Sequence, residues 1–295
     1  VTARIIDGKV VASLVHDEVA AGVAEFSKQH GKTPGLTVVL IGDDPASHSY
    51  VKGKERACEK VGIRTETILH DASITQEELI AIVERLNSDP EVNGILVQLP
   101  LPKHLDESAV IHAIDPSKDV DGLHPENAGL LILGEPRFAP ATPLGVQRML
   151  VEENVDMNGA KVVIVGRSKL VGMPLTALLL QKGVGANSTV TVCHTGTKDM
   201  AAETRQADVL IAAAGFPGAV TPDMIKPGAV VIDVGVSRVD DATRKRGYRL
   251  TGDVEFEGAV EVASAITPVP GGVGPMTIAM LLVNVLQAAK LAVSN

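Results

Sequence analysis

Tryptophan is absent from the 295 residues, and tyrosine and phenylalanine number only two and four. A protein that reads single-stranded bases needs aromatic platforms for stacking, and few are available. The net charge is −9 and no basic tract occurs. That excludes the electrostatic footprint of a nucleic-acid binder and the polybasic anchor of a protein held on anionic membranes. The two cysteines, Cys58 and Cys193, lack CxxC spacing. They read as reduced thiols rather than as a disulfide or a zinc site. The eight histidines form no HxxxH or HExxH pair, so no metal is expected. The opening VTARIIDGK carries no apolar leader, which points to a cytoplasmic location. The most apolar stretch, IAMLLVNVLQAAKLAV at 278–293, is interrupted by Asn284, Gln287 and Lys290 at helical spacing. It reads as an amphipathic or buried helix and not as a membrane span.

What the chain does contain is 45% apolar residues, 28 glycines and 17 prolines. The length suits two domains, each with its own core. Short β-branched runs alternate with helical stretches. LTVVLIG (36–42), RTETILH (64–70) and GILVQLP (94–100) read as strands, with helices over 48–61 and 75–88 between them. KVVIVG (161–166), STVTVCH (188–194), DVLIAAAG (208–215) and AVVIDVG (229–235) repeat the pattern, with helical signals at 171–182 and 199–206. Strands apolar on both faces belong in parallel sheets covered on both sides by helices. The fold class is therefore α/β, with two α/β lobes. The Pro-rich FAPATPLG (138–145) lies near their boundary.

Gly166 closes one such strand, and GRSKLVGMP leads into a helix. A strand, a glycine turn and a helix N-terminus together favour a bound pyrophosphate. The following strand ends in Cys193-His194-Thr195-Gly196-Thr197, without the carboxylate that binds an NAD ribose. Arg167 and Ser168 in the first turn can instead meet a 2′-phosphate. The reading leans to NADP, with a solvated loop arginine as the alternative.

In SYVKGKERACEKVGI, Lys54 falls on the apolar stripe by two periodicities. One is Tyr50, Lys54, Ala57 and Val61; the other is Val51, Lys54, Cys58 and Val61. Such a lysine snorkels to the edge, pairs with a buried carboxylate, or acts chemically with a lowered pKa. Tyr50 lies one turn away. Gln98 interrupts a buried strand at its carboxyl end, where α/β sheets place ligands. Asp121 lies in the turn-rich KDVDGLHPENAG and could accept from an N–H-rich ring. Gly53 inside this helix costs about 1 kcal/mol relative to Ala, and close approach of a ligand or backbone is one candidate reason. A third glycine-rich segment, TPVPGGVGPMT (267–277), forms a loop whose backbone can approach a flat ligand.

Over essentially its whole length the sequence resembles the bifunctional methylenetetrahydrofolate dehydrogenase/methenyltetrahydrofolate cyclohydrolase family. The matching segments are YVKGK (50–54), GILVQLPLP (94–102), PSKDVDG (116–122), GRSKLVGMP (166–174), VIDVGVSR (231–238), GDVEF (252–256) and TPVPGGVGPMT (267–277). The resemblance implies two α/β lobes, the second a Rossmann-like doubly wound parallel sheet, with a folate cleft between them. Residues 1–140 would form the N-terminal folate-binding lobe, joined by the returning C-terminal helix 274–295. Residues 141–273 would form the NADP-binding lobe.

The implied activity is NADP-dependent oxidation of 5,10-methylenetetrahydrofolate to 5,10-methenyltetrahydrofolate, then hydrolysis to 10-formyltetrahydrofolate, in one shared site. The implied catalytic residues are Lys54, Gln98, Tyr50 and Asp121. Val97, Leu99, Pro270, Gly271, Gly272 and Val273 join them in binding folate. Gly166, Arg167, Ser168, Thr195 and Val236 would line the NADP site. A homodimer is implied, with no nucleic acid or membrane partner. The alternatives are a monofunctional dehydrogenase of the same family and another NADP-linked reductase. Departures from the family pattern are few. Thr195 stands where Ser is common and keeps a hydroxyl; Ala141 replaces a frequent Cys; Glu255 and Val236 replace Asp and Ile.

Overall fold

The computed structural model describes residues 2–244 and 247–294. The elements up to the middle of the chain are β1 (Arg4–Ile5), α1 (Gly8–His30), β2 (Gly35–Ile41), α2 (Pro45–Val61), β3 (Arg64–His70), α3 (Gln76–Ser88), β4 (Gly94–Val97), α4 (Glu107–Ala113), α5 (Pro125–Leu133) and α6 (Ala141–Glu152). There follow β5 (Lys161–Val165), α7 (Gly172–Leu180), β6 (Thr189–Cys193), α8 (Met200–Thr204), β7 (Val209–Ala212), β8 (Val230–Asp233), β9 (Ser237–Asp240), β10 (Tyr248–Thr251), α9 (Phe256–Ala259), β11 (Ala265–Ile266) and α10 (Val273–Ser294).

Contacts divide the chain into two compact units. One holds Ser13–Ala141 and the chain from Ile278; the other holds the chain up to Ala12 and Thr142–Thr277. The first is built on a parallel sheet of order β3-β2-β4. Every residue of β2 and β4 is buried, as the continuous apolar runs require of strands covered on both faces. Val39, Ile41, Ile95 and Val97 pack with Leu79, Val83 and Leu86 of α3. That helix starts in a reciprocal cap: Glu78 N donates to Thr75 Oγ1 at 3.2 Å, and Thr75 N donates to Glu78 Oε2 at 2.9 Å. The strand expected over 94–100 ends at Val97, because Pro100 and Pro102 offer no N–H to a ladder.

The second unit is a six-stranded parallel sheet of order β1-β11-β8-β7-β5-β6, a Rossmann-like arrangement. Val163, Val165, Leu210, Val231 and Ile266 form its core. β9 and β10 make a separate antiparallel hairpin. The first residues, expected in the N-terminal lobe, join this second unit instead. Arg4 and Ile5 pair in parallel with Ala265 and Ile266, and Arg4 forms an ion pair with Glu153. A two-residue strand gives no periodicity, and its partner lies at the far end of the chain. α10 is the one described helix long and apolar enough to cross a membrane. Ala279, Leu281, Leu282, Val285, Leu286 and Ala289 on it are buried by the protein itself.

Candidate active site

α2 carries the central side chain of the first unit. Asp44 caps it by accepting from Ser47 N at 2.8 Å, Pro45 opens it, and Gly62 closes it at φ 80°. Its buried stripe is Val51, Lys54, Cys58 and Val61. The structure thus selects the second of the two periodicities, and Tyr50 is 40% exposed. Gly53 has room for a side chain, since a Cβ there would meet Ile278 Cδ1 at an ordinary 3.5 Å. Among the described residues, no other backbone approaches it.

Lys54 is only 6% exposed. Its Nζ donates to Gln98 Oε1 at 3.0 Å and lies 5.0 Å from the centre of the Tyr50 ring. Gln98 is itself held at both ends. Its backbone N–H donates to Val39 O at 2.9 Å, and its Nε2 donates to Leu99 O at 2.7 Å. With the amide nitrogen so engaged, the amide oxygen is turned to the lysine. Burial lowers the pKa of Lys54, and the nearby Asp121 carboxylate opposes part of that shift. Burial raises the Asp121 carboxyl; Lys54 pulls it down and Asp119 pushes it up. Lys54, Gln98, Tyr50 and Asp121 are therefore brought together, with Val97 buried and Leu99 half-buried beside Gln98. Snorkelling is excluded for Lys54. Its amine is buried, hydrogen-bonded and electrostatically coupled to a carboxylate.

The Asp121 loop is fixed from several sides. Val120 is fully buried against Gly94, where a Cβ would come within 2.7 Å of Val120 Cγ1. Gly122 turns at φ 69°. The Asp119 carboxylate accepts from His124 N at 2.8 Å and Asn127 Nδ2 at 2.9 Å. Asn284 on α10 donates to Val120 O at 2.8 Å and Ala139 O at 2.9 Å. Asp119 and Asn284 were given no role from sequence. The signal was present for Asn284, an amide in the middle of an apolar run.

In the second unit, Gly166, Arg167 and Ser168 form the turn after β5. Gly166 has φ 128°, and its N–H donates to Cys193 O at 2.8 Å. A Cβ on Gly172 would overlap the Gly166 carbonyl, so α7 begins hard against the turn. Ser168 Oγ accepts from Val171 N at 3.1 Å, and Arg167 and Ser168 are exposed. Thr195 and Val236, both exposed, follow β6 and β8. Because the strands are parallel, these positions all lie along the sheet's carboxyl edge. The loop 267–273 has Pro270 exposed, Gly271 at φ 109°, and Gly272 and Val273 buried. Gly272 N donates to Pro268 O at 2.8 Å, and a Cβ on Gly8 would overlap the Gly272 carbonyl.

The features needed for a dinucleotide are met in this unit: a left-handed glycine turn, a helix starting flush against it, and an exposed cation and hydroxyl. Among the described residues, no group of three or more His, Cys, Asp or Glu could hold a metal ion.

Two family models match the chain. Residues 6–121 match the tetrahydrofolate dehydrogenase/cyclohydrolase catalytic domain, and residues 140–293 match the NAD(P)-binding domain of the same family. The bifunctional protein FolD of Salinibacter ruber is 55% identical, the match covering 99% of this chain and 98% of that one. The solved methylenetetrahydrofolate dehydrogenase/cyclohydrolase of Campylobacter jejuni is 45% identical, with a TM-score of 0.91 over 98% of this chain and 99% of that one. The Trypanosoma brucei dehydrogenase-cyclohydrolase, solved with NADP cofactor and an inhibitor, is 40% identical, with a TM-score of 0.94 over all of both chains.

Proposed function

The chain belongs to the tetrahydrofolate dehydrogenase/cyclohydrolase family, and from that premise we infer that it oxidises 5,10-methylenetetrahydrofolate with NADP⁺ and hydrolyses the methenyl product to 10-formyltetrahydrofolate. The observation that carries the hydrolytic half is the buried Lys54 amine held on Gln98 beside Asp121.

Bound NADP⁺ would supply the acceptor for the hydride of the one-carbon bridge. Gly166, Arg167 and Ser168 would hold its phosphates, with Thr195 and Val236 along the same edge. The chain's part in that step is orientation. Asp121 accepts from the pterin N–H groups and so sets the ring. Pro270, Gly271, Gly272 and Val273 supply a rigid backbone wall to the folate.

Hydration follows at the bridge carbon of the resulting methenyl cation. Water adds through its oxygen and one of its protons goes to the Lys54 amine. The C–N5 bond then breaks as the remaining hydroxyl proton leaves and N5 takes up a proton, so that the formyl group stays on N10 and one proton is released overall. Burial lowers the pKa of the amine, and an adjacent substrate cation lowers it further. Gln98 fixes the amine's position, and the Tyr50 ring flanks it. A dehydrogenase without hydrolysis would leave the buried Lys54–Gln98 pair unemployed.

The first lobe then carries the proton-transfer residues and the second serves NADP. A cytoplasmic homodimer completes the reading. The family resemblance supports the dimer, and the two buried, unpaired thiols Cys58 and Cys193 suit a reducing compartment.

The test is to incubate the purified protein with 5,10-methylenetetrahydrofolate and NADP⁺, following NADPH and the methenyl chromophore together. NADPH should appear in step with 10-formyltetrahydrofolate. NADPH with stoichiometric accumulation of methenyl product would reduce the activity to the dehydrogenase alone.

A further inference from the structure

Five backbone amides in the second lobe end on two buried carboxylates. Asp233, the last residue of β8, accepts from Gly235 N at 3.0 Å and Asp253 N at 2.9 Å through Oδ1, and from Val254 N at 3.0 Å through Oδ2. Asp253 accepts from Ala214 N at 2.6 Å and Gly215 N at 2.8 Å through Oδ2. Asp233 is 3% exposed and Asp253 0%. Two glycines make space for them. A Cβ on Gly252 would overlap the Asp233 carboxylate, and one on Gly235 would overlap that of Asp253. Burying two carboxylates side by side is costly. Desolvation, with Asp253 adding to it, pushes Asp233 up to about 6. A neutral Asn or Ser could cap some of the same amides at lower cost, so the reason for two charges lies in what they hold.

They hold the point where the strand order reverses. From β5 the chain moves out to β6 on one side, then returns to β7 and β8 on the other. Open parallel sheets take their ligands at the carboxyl ends of the strands flanking such a point. Asp253 pins the Ala214 and Gly215 amides just beyond β7. The Ala213 carbonyl before them lies against Gly166 just beyond β5, and a Cβ on Gly166 would overlap it. A continuous line of contacts thus runs from Asp233 through Asp253 and the Ala213–Gly215 backbone to the Gly166 turn.

We propose that Asp253, aligned by Asp233, is a positioning residue for NADP: it fixes the backbone after β7 on which the phosphate-binding Gly166 turn is seated. The proposal rests on the NADP reading above. Asp253 acts through backbone amides, so its loss loosens the turn. Asp253 Oδ1 has no hydrogen-bond partner among the described residues. Asn can therefore keep its carbonyl on Ala214 and Gly215 and turn its amide to the other side, whereas Ala leaves both amides without their carboxylate acceptor.

The experiment measures the Kd of NADPH by its fluorescence on the intact chain, alongside the melting temperature. Asp253→Ala should raise Kd about tenfold or more, and Asp253→Asn about threefold. Val231→Ala, a core truncation in the same sheet, should lower the melting temperature without moving Kd. An unchanged Kd in both Asp253 variants would overturn the proposal, as would a Kd in Val231→Ala raised as much as in Asp253→Ala. Should Asp253→Ala fail to fold, the Asn variant decides by the same criterion. A wild-type chain that binds no NADPH would overturn the cofactor reading itself, a result distinct from equal binding by wild type and variants.

Discussion

Replacing Lys54 by Met separates the two reactions. Met keeps an unbranched apolar stem to pack with Val51, Cys58 and Val61 on the buried stripe and removes only the amine. The hydrogen bond to Gln98 Oε1 at 3.0 Å is lost, worth about 1 kcal/mol net. The desolvation of a buried amine is relieved at the same time. The fold should therefore change in stability by no more than about 1–2 kcal/mol. The kinetic effect is larger. A positioned general base contributes roughly 10²–10⁴-fold, or about 3–5 kcal/mol of barrier. Hydration should fall by that factor. Hydride transfer asks no proton of Lys54 and should fall by less than about tenfold, from loosened substrate placement. The assay follows NADPH release and methenyl accumulation in one reaction, then methenyl hydrolysis alone with preformed substrate. The variant should form NADPH and pile up the methenyl intermediate. A fall by one common factor in both steps would refute the division of labour, and unimpaired hydrolysis would remove Lys54 from the chemistry.

Other consequences follow from the same contacts. The Asp121 carboxylate holds the Lys54 pKa up against burial, so Asp121→Asn should shift the ascending limb of the hydration pH–rate profile to lower pH while raising the folate KM. A limb that stays in place would show the two groups uncoupled. Asn284→Leu strips two buried carbonyls, Val120 O and Ala139 O, of their donor. It should cost about 2–4 kcal/mol in urea unfolding and raise the folate KM more than it lowers kcat; a stability loss with KM unchanged would sever α10 from the Asp121 loop.

Asp233 binds its proton more tightly folded than unfolded. The native state then carries more protons between pH 3.8 and about 6, and its stability falls as pH rises through that window. That rise corresponds to about 3 kcal/mol. Asp233→Asn should thus be more destabilising near the lower end of the window than at neutral pH, and a difference constant with pH would contradict the assignment.

The strands were legible wherever both faces were apolar, because continuous burial writes itself into sequence as it does in β2, β4, β5, β7 and β8. Lys54 was legible as a charge on an apolar stripe. Its partners were legible only as candidates, since an interrupted strand at Gln98 and a turn at Asp121 do not say that they meet. α1 was overlooked although Val11, Val15, Val19, Val23 and Phe26 recur at helical spacing and are buried. Its start is marked as well, by Asp7 just before the helix, whose carboxylate accepts from Lys9 N at 2.9 Å. β1 has two residues and a partner some 260 positions away, beyond any local pattern. Asn284 and the two buried aspartates show the same limit. Their types were visible, but the carbonyls and amides they serve lie elsewhere in the chain, 164 residues away for Asn284 and Val120.

The proposed hydration depends on a buried lysine able to lose its proton. Labelling lysine side chains with carbon-13 at Cε and following the Lys54 signal with pH, assigned by its disappearance in Lys54→Met, reads that property directly. Burial of the amine predicts titration below the ordinary 10.5, and lower still when Asp121 is made Asn. Titration at 10.5 or above would leave the amine protonated at working pH and would contradict its role as the proton acceptor.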